Sequence, residues 1–389
     1  MTHPRRLLSV AHSYVVALNR RLAHEMALAG HCQWEVTAAA PRYFHGSSDL
    51  RPIPLERNGR EPCALVPVRA HLTSKVHCFV YGRDLRALLR EHWDLVHCWE
   101  EPYILAGGQV AWWTPRATPL VYATFQNLHK RYPPPFAWVE RYCLSRAAGW
   151  IAFGETVAST LSHLPGYSDR PMRVIPPGVD VQLFRPDPEA RVAVRRTLGW
   201  DDDGPPVVGY LGRFVPEKGV EFLTRVLDRL DVPWRALFVG AGPLEGTLRA
   251  WAARHADRVR VCTGVVHADV PPHVSAMDVL CAPSQTMPRW REQFGRMLIE
   301  AFACGVPVVG SDSGEIPHVI DDAGLVVGEA DEAGWRDALG GLLESPGRRA
   351  ELGRLGREHA HARYAWPVIA RQYLDFFTQL LESGAGSRR

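Results

Sequence analysis

The strongest constraint on this chain is an alternation that runs through nearly its whole length. Short apolar runs bounded by turn or charged residues are separated by stretches with helical spacing. RRLLSVA, WEVTAA, CALVPV, DLVHC, PLVYA, GWIAF and MRVIPPG read as strands in the first half. Between them, VVALNRRLAHEMALAG, VYGRDLRALLREH and FAWVERYCLSRAAG put apolar residues at i, i+3, i+4 and i+7, the mark of an amphipathic helix. PVVGYLG, WRALFVG, RVRVCTG, MDVLCAPS, PVVGSD and AGLVVG repeat the pattern in the second half. Strands that are apolar throughout, with helices between them, predict mostly parallel sheets covered on both faces. The fold class is therefore α/β, with two doubly wound domains and a ligand cleft at the carboxyl ends of their strands.

The alternation pauses over residues 176–206, where prolines and the run Asp201–Asp203 accumulate. The expected division is 1–184 for a first domain and 185–365 for a second. A final amphipathic helix at 366–389 is expected to pack back on the first. With 389 residues, 46% of them apolar and 22% charged, the chain is a multidomain globular protein and neither disordered nor collagenous. No window approaches the ~18 uninterrupted apolar residues of a membrane span. Arg20 and Arg21 interrupt the first apolar run too early for a secretory signal, so a cytoplasmic protein is expected. The eight cysteines show no C-x-x-C and no zinc-like spacing, and read as free thiols in a reducing compartment.

Charge is unevenly spread. Residues 1–185 hold 21 Lys and Arg against 14 Asp and Glu, net +7, and the remainder holds 24 against 28, net −4. A basic first half suits an anionic membrane face or an acidic ligand. Lys75, Arg83, Arg86 and Arg90 fall on a stretch also rich in Leu, Phe and Val, which reads either as a membrane-docking helix or as a solvated one. KRYPPPFAWVERY (130–142) is similarly open between a docking element, for a ligand or a membrane, and a helix start with core aromatics.

Two segments carry chemistry. In EQFGRMLIEAFACGVP (292–307) a polar loop enters a helix near Gly295, which ends at the glycine cap Gly305. The helix start offers unpaired amides and the positive end of a dipole, suited to a phosphate or a sugar hydroxyl. Glu292 lies in the approach, and Glu300 sits among Leu298, Ile299, Ala301 and Phe302, where an acid needs either solvent or a ligand hydroxyl. In GYLGRFVPEKG (209–219) a strand ends at Gly212, and Arg213 and Lys218 occupy the turn that follows, placed for a diphosphate.

Together these segments resemble the family-4 group of retaining glycosyltransferases with the GT-B fold, two Rossmann-like domains facing an interdomain cleft. The family's E-x7-E falls on Glu292 and Glu300 within FGRMLIEAFACGVPVV, and its G-R-x4-K-G on Gly212-Arg213 to Lys218-Gly219. VGAGPL (239–244), MDVLCAPS (277–284) and PPGVD (176–180) match further elements in the family's order. The resemblance implies that Arg213 and Lys218 bind the donor diphosphate and, with Glu292 on the transferred sugar, carry catalysis. It implies that Glu300 holds the ribose hydroxyls. Gly212, the backbone of Phe294, Gly295, Arg296, Met297 and Leu298, and Val265 in the base-side loop that also holds His267 would complete the donor site. The co-substrate is then a nucleotide-diphosphate sugar, UDP- or GDP-linked, with no required cofactor or metal.

The first domain departs from the family. The usual glycine pair after the first strand is replaced by Ala11-His12-Ser13-Tyr14, so that contact is rebuilt around His12 and Ser13. Where the family places a histidine near the reacting carbon, VYATFQNLHKRYPPP offers Gln126 and Asn127, with His129 two residues beyond, so that histidine's role is not carried over. Glu101, in the HCWEE segment after DLVHC, is a further acceptor-side candidate, and acids there bind hydroxyls or serve structure. The expected activity is transfer of a hexose to a sugar, lipid-linked or small-molecule acceptor, with a peripheral contact at the inner membrane face as a further option and no nucleic-acid partner. A GT-B epimerase, a sugar phosphorylase and a non-catalytic nucleotide-sugar sensor remain as alternatives.

Overall fold

The computed structural model describes residues 3–45, 52–57, 59 and 61–386. The chain forms two units, residues 1–176 with 366–389 and residues 177–365.

The first unit holds seven parallel strands: β1 (Arg5–Val10), β2 (Trp34–Pro41), β3 (Ala64–Val68), β4 (Leu95–Cys98), β5 (Leu120–Thr124), β6 (Gly149–Ala152) and β7 (Met172–Val174). Their order is β7-β6-β5-β4-β1-β2-β3. The chain winds from β1 outward to β3, returns to β4 on the other side of β1, and winds away again. The reversal therefore falls between β1 and β4, where Leu7 pairs with Leu95 and Val10 with Cys98. Successive residues of β1 serve opposite faces. Leu7 joins one apolar core and Leu8 the other, as period-2 side chains in a sheet covered on both sides must. The first of these cores is completed by the C-terminal helix Trp366–Gly386, which packs on helix α1 (Arg21–Gly30) and contributes Ile369, Tyr373, Phe376 and Phe377.

The second unit repeats the plan with β8 (Val207–Leu211), β9 (Arg235–Val239), β10 (Val259–Cys262), β11 (Val279–Ala282), β12 (Val308–Ser311) and β13 (Leu325–Val327), in the order β10-β9-β8-β11-β12-β13. Here the winding reverses between β8 and β11. The architecture is GT-B, built from two Rossmann-like units.

Several local expectations need correction. The segment 188–206 is no linker. Helix α2 (Pro188–Thr197), capped by the Asp187 side chain on the Ala190 amide at 2.9 Å, belongs to the second unit. Its Arg195 is fully buried, and the guanidinium reaches Asp278 at 2.6 Å, Asp202 at 3.1 Å and the Ala276 carbonyl at 3.0 Å. Val179 and Phe184 also lie in this unit's core, so the division falls at 176/177 rather than 184/185. The helical pattern of residues 15–30 becomes regular helix only at Arg21. His12–Val15 and Ala17–Arg20 form 3₁₀ turns, because the buried Arg20 guanidinium binds the Tyr14 and Glu56 carbonyls and Asn19 binds the Ser13 carbonyl.

Residues 75–90 are helical only over Arg83–Leu89, and Phe79, Leu85, Leu88 and Leu89 are spent on the core. Lys75, Arg83, Arg86 and Arg90 are left exposed without an apolar partner face. In the helix Phe136–Arg146, Trp138 and Tyr142 are 63% and 40% exposed, so these two are not core aromatics.

Candidate active site

In the second unit the segments singled out by sequence meet where the winding reverses. After β8 the chain passes Arg213 and makes a 3₁₀ turn over Pro216–Lys218. It then enters helix α3 (Val220–Asp228) through Gly219. Gly219 has φ +69°, and a Cβ there would stand 1.8 Å from the Pro283 carbonyl oxygen, so only glycine lets this turn lie against the end of β11. That contact brings Lys218 to the residues after β11. Lys218 Nζ lies 2.5 Å from Glu292 Oε2, and Ser284 Oγ donates to the same oxygen at 2.8 Å. The ammonium also sits 5.2 Å from the centre of the Trp290 ring. Both charges are largely buried, and the Glu292 backbone is fixed by the Glu315 amide on its carbonyl. Lys218 still has two further N–H donors for a ligand. Arg213 is placed differently. Its carbonyl is held by Tyr210 Oη at 2.8 Å, while its side chain is 66% exposed and 3.8 Å from Glu217.

Helix α4 (Arg296–Ala303) starts from Gly295 in left-handed backbone, with Phe294 buried beneath it. The Leu298 amide bonds the Gly295 carbonyl at 2.9 Å, so the amides open to a ligand narrow to those of Arg296 and Met297. The helix closes as expected, with Gly305 and Val306 amides returned to the Phe302 and Ala301 carbonyls in a Schellman motif. Glu300 is buried on this helix, and among the described residues no group donates a hydrogen bond to its carboxylate. Its nearest cation is Arg296 at 3.9 Å. Burial pushes its pKa to about 7, against the smaller pull of Arg296. Val265 is half-buried against the same core. His267, two residues on, packs on Phe184 at 5.6 Å, and burial followed by the charge of Arg296 lowers its pKa.

In the first unit, His12 follows β1 and Glu100 follows β4. The His12 amide and Nδ1 each lie 2.5 Å from the Glu100 carboxylate, and Tyr81 Oη donates to it at 2.5 Å. Glu100 is fully buried, so of the two open readings of the acids after β4, structure claims this one. The space left by the missing glycine pair is filled by the His12 ring, flanked by Phe44 and Phe79. Ser13 contributes its carbonyl to Asn19 and to the Val16 amide. Glu101 points its carboxylate the other way along the sheet edge, accepting from Thr124 Oγ1 at 2.6 Å and the Phe125 amide at 2.8 Å. Burial raises its pKa to about 7 despite those two donors. The next residue, Gln126, accepts from Tyr132 Oη at 3.0 Å, and Tyr132 stacks on Tyr103 with ring centres 4.1 Å apart. The Asn127 carbonyl accepts from Thr160. Glu101 and Gln126 thus share one edge, with His12 attached through Glu100.

Sequence reasoning missed Ser284, Trp290, Tyr81, Tyr103 and Tyr132. Ser284 lay inside a quoted segment and Trp290 two residues before one, and a buried carboxylate's need for donors was the available signal. The tyrosines gave none. Among the described residues no group of three or more His, Cys, Asp or Glu side chains could hold a metal ion, and no helix is long and apolar enough to cross a membrane.

Comparison with known proteins agrees with the fold. The family model described as Glycosyl transferases group 1 matches residues 205–345, and that described as Glycosyltransferase Family 4 matches residues 15–183. The chain is 38% identical to a GDP-mannose-dependent alpha-(1-6)-phosphatidylinositol monomannoside mannosyltransferase of Mycolicibacterium smegmatis, over 59% of this chain and 58% of the relative. It is 32% identical to a D-inositol 3-phosphate glycosyltransferase of Xylanimonas cellulosilytica, over 62% of this chain and 59% of that one. The chain thus spans about three fifths of the length of these curated relatives. Among solved structures, sucrose-phosphate synthase from Thermosynechococcus elongatus matches with a TM-score of 0.72 at 21% identity, covering 97% of this chain and 100% of that one. HepE of Anabaena, in complex with UDP, matches at 0.73 and 19%, covering 96% and 100%. At these identities the structural likeness speaks for the fold alone.

Proposed function

Since the chain belongs to family 4 of the glycosyltransferases, whose two models take in residues 15–183 and 205–345, we propose that it is a retaining hexosyltransferase that moves a sugar from a nucleotide-diphosphate sugar to an acceptor hydroxyl. The observation that carries this reading is the arrangement at the β8/β11 reversal. A lysine and a serine clamp the carboxylate of Glu292, and Glu300 lies buried on the adjoining helix without a hydrogen-bond donor among the described residues. A buried acid in that state is complementary to a pair of hydroxyls, and the ribose of a nucleotide supplies them.

In this reading Glu300 accepts the ribose hydroxyls, and the Arg296 and Met297 amides receive phosphate oxygens. Lys218 and Arg213 stabilise the negative charge that develops on the leaving diphosphate. Glu292, unable to rotate between Lys218 and Ser284, orients the transferred sugar through its hydroxyls. The bond from the anomeric carbon to the β-phosphate oxygen breaks, and the acceptor oxygen bonds to the same face. The acceptor proton passes to the departing phosphate, so no protein nucleophile enters. Metal independence belongs to the same proposal, because two cations already stand where the diphosphate charge is met.

The names of the matched relatives are transferase names, so epimerase and phosphorylase readings gain no support from them. Those names favour a GDP-linked donor and an inositol-containing acceptor. Glu101, Gln126, Asn127, His12 and Ser13 form the acceptor side. We place the enzyme in the cytoplasm, consistent with buried free thiols at Cys63, Cys98, Cys143, Cys281 and Cys304. Any contact of Arg83, Arg86 and Arg90 with an anionic membrane is electrostatic and therefore salt-sensitive. A thermal-shift screen against UDP-, GDP- and ADP-sugars tests the reading, since a ligand at 100 times its Kd stabilises by about 2.7 kcal/mol. No shift with any of them overturns it.

A further inference from the structure

We infer that the first unit carries an anion site of its own, in which His12, held as an imidazolium by Glu100, binds a phosphate oxygen at the β1/β4 reversal. The inference rests on the glycosyltransferase reading only for which phosphates reach the site. Topology gives the location. In doubly wound sheets ligands bind beyond the carboxyl ends of the strands where the winding reverses. His12 stands two residues after β1, and Glu100 two residues after β4, the strands on either side of that reversal.

Geometry gives the chemistry. Glu100 is fully buried and receives three donors, the His12 amide, His12 Nδ1 and Tyr81 Oη, each at 2.5 Å. A carboxyl group so engaged fixes the ring's orientation and tautomer, as a carboxylate does for a working histidine. With Nδ1 committed, Nε2–H is the donor left for a ligand. Among the described residues it has no partner, and a quarter of the side chain is exposed. Phe44 and Phe79 flank the ring at 4.7 and 5.2 Å, which prevents it from swinging away from Glu100.

The charge state agrees. Burial disfavours the charged ring, but the charge and hydrogen bond of Glu100 outweigh it and hold the His12 pKa above its ordinary 6.5. The other titratable groups around the carboxylate are Tyr14, Tyr81 and Cys98. All three are raised by burial and stay neutral, so they add no charge beside His12. A fixed imidazolium offering one N–H, in a half of the chain with net charge +7 over residues 1–185, selects an anion over a neutral hydroxyl. Glu100 is accordingly a positioning residue. The phosphate is either the diphosphate of the donor or a phosphomonoester on the acceptor.

The test follows the His12 Cε1–H resonance of the full chain by NMR, assigned by its loss in His12→Asn. One arm adds inorganic pyrophosphate, the other myo-inositol 1-phosphate. The resonance is expected to titrate with a midpoint above 6.5 and to move on addition of at least one ligand; the ligand that moves it identifies the source. Glu100→Gln is expected to drop the midpoint below that of wild type and to weaken phosphate binding about tenfold, the loss of one charge-assisted contact. A midpoint at or below 6.5, or a resonance indifferent to both ligands, overturns the inference. If Glu100→Gln fails to fold, the wild-type titration decides alone. Calorimetry with GDP on the same samples reports the second unit. GDP binding with a silent His12 sinks this site and leaves the proposed function standing, and a responsive His12 without nucleotide binding does the reverse.

Discussion

At the winding reversal of the second unit, Lys218 and Ser284 converge on Glu292, and at that of the first, His12 and Tyr81 converge on Glu100. Each unit thus places a cation after one central strand, a buried carboxylate after its neighbour, and a hydroxyl that fixes the carboxylate. The cations differ in kind. Lysine keeps two donors beyond the one given to Glu292, which suits a charge that appears during bond breaking. Histidine has one donor left and a charge that exists only below its pKa, which suits conditional binding. The same topology has produced a cation with several donors in one half and a titratable one with a single donor in the other.

The sharpest way to break this comparison is to remove the lysine. Lys218→Ala should lower turnover on the order of 10²–10³-fold, the scale for losing one charge-stabilising donor, measured as initial rates of donor consumption. A drop no larger than that of His12→Asn would erase the distinction between the two halves.

Next in size, Glu300→Ala should weaken binding of free GDP or UDP by about 1.5–3 kcal/mol, from lost charged hydrogen bonds. Glu292→Ala should leave that affinity nearly intact while depressing turnover. Equal losses in calorimetry for the two variants would contradict the division between them. Because the Glu300 pKa stands near 7 without ligand, and hydroxyl donors favour the ionised form, wild-type nucleotide affinity should fall as pH drops below about 7. In Glu300→Gln that dependence should vanish.

A smaller effect separates the halves by pH. The His12 pKa is raised on folding, so its contribution to stability is fully present below pH 6.5 and is lost as pH rises through the folded-state pKa. Hydrogen exchange of β1 and β4 amides should show this loss in wild type and not in His12→Asn. The smallest expected effect is none at all: excess EDTA should leave activity unchanged. Loss of activity with recovery on adding manganese would show that Arg213 and Lys218 have been misread.

The two sites were unequally legible in the sequence for a physical reason. Arg213, Lys218, Glu292 and Glu300 lie within two short segments whose residue order survives as a motif. His12 and Glu100 are 88 residues apart and meet only because β1 and β4 are neighbours. The strands of the two large sheets were readable, since apolar runs between helices leave few alternatives, whereas the short pair Ala70–His71 and Val80–Tyr81 was not. The boundary was not, because a proline- and aspartate-rich segment looks like a linker until Arg195 is seen buried against Asp278. Residues 15–20 looked helical for the same kind of reason. Their spacing fits a helix, and only tertiary hydrogen bonds from Arg20 turn them into 3₁₀ geometry.

The contribution of residues 366–386 to the first unit bears on the order in which a nascent chain can fold. When only residues up to 365 have left the ribosome, the second unit already has every residue of its own core. The first unit, though synthesised earlier, still lacks Ile369, Tyr373, Phe376 and Phe377. Its Trp34, Leu22 and Met26 must then wait uncovered until the last helix arrives. The half that emerges first is thus the half that finishes last, and during that interval its apolar face is available to chaperones.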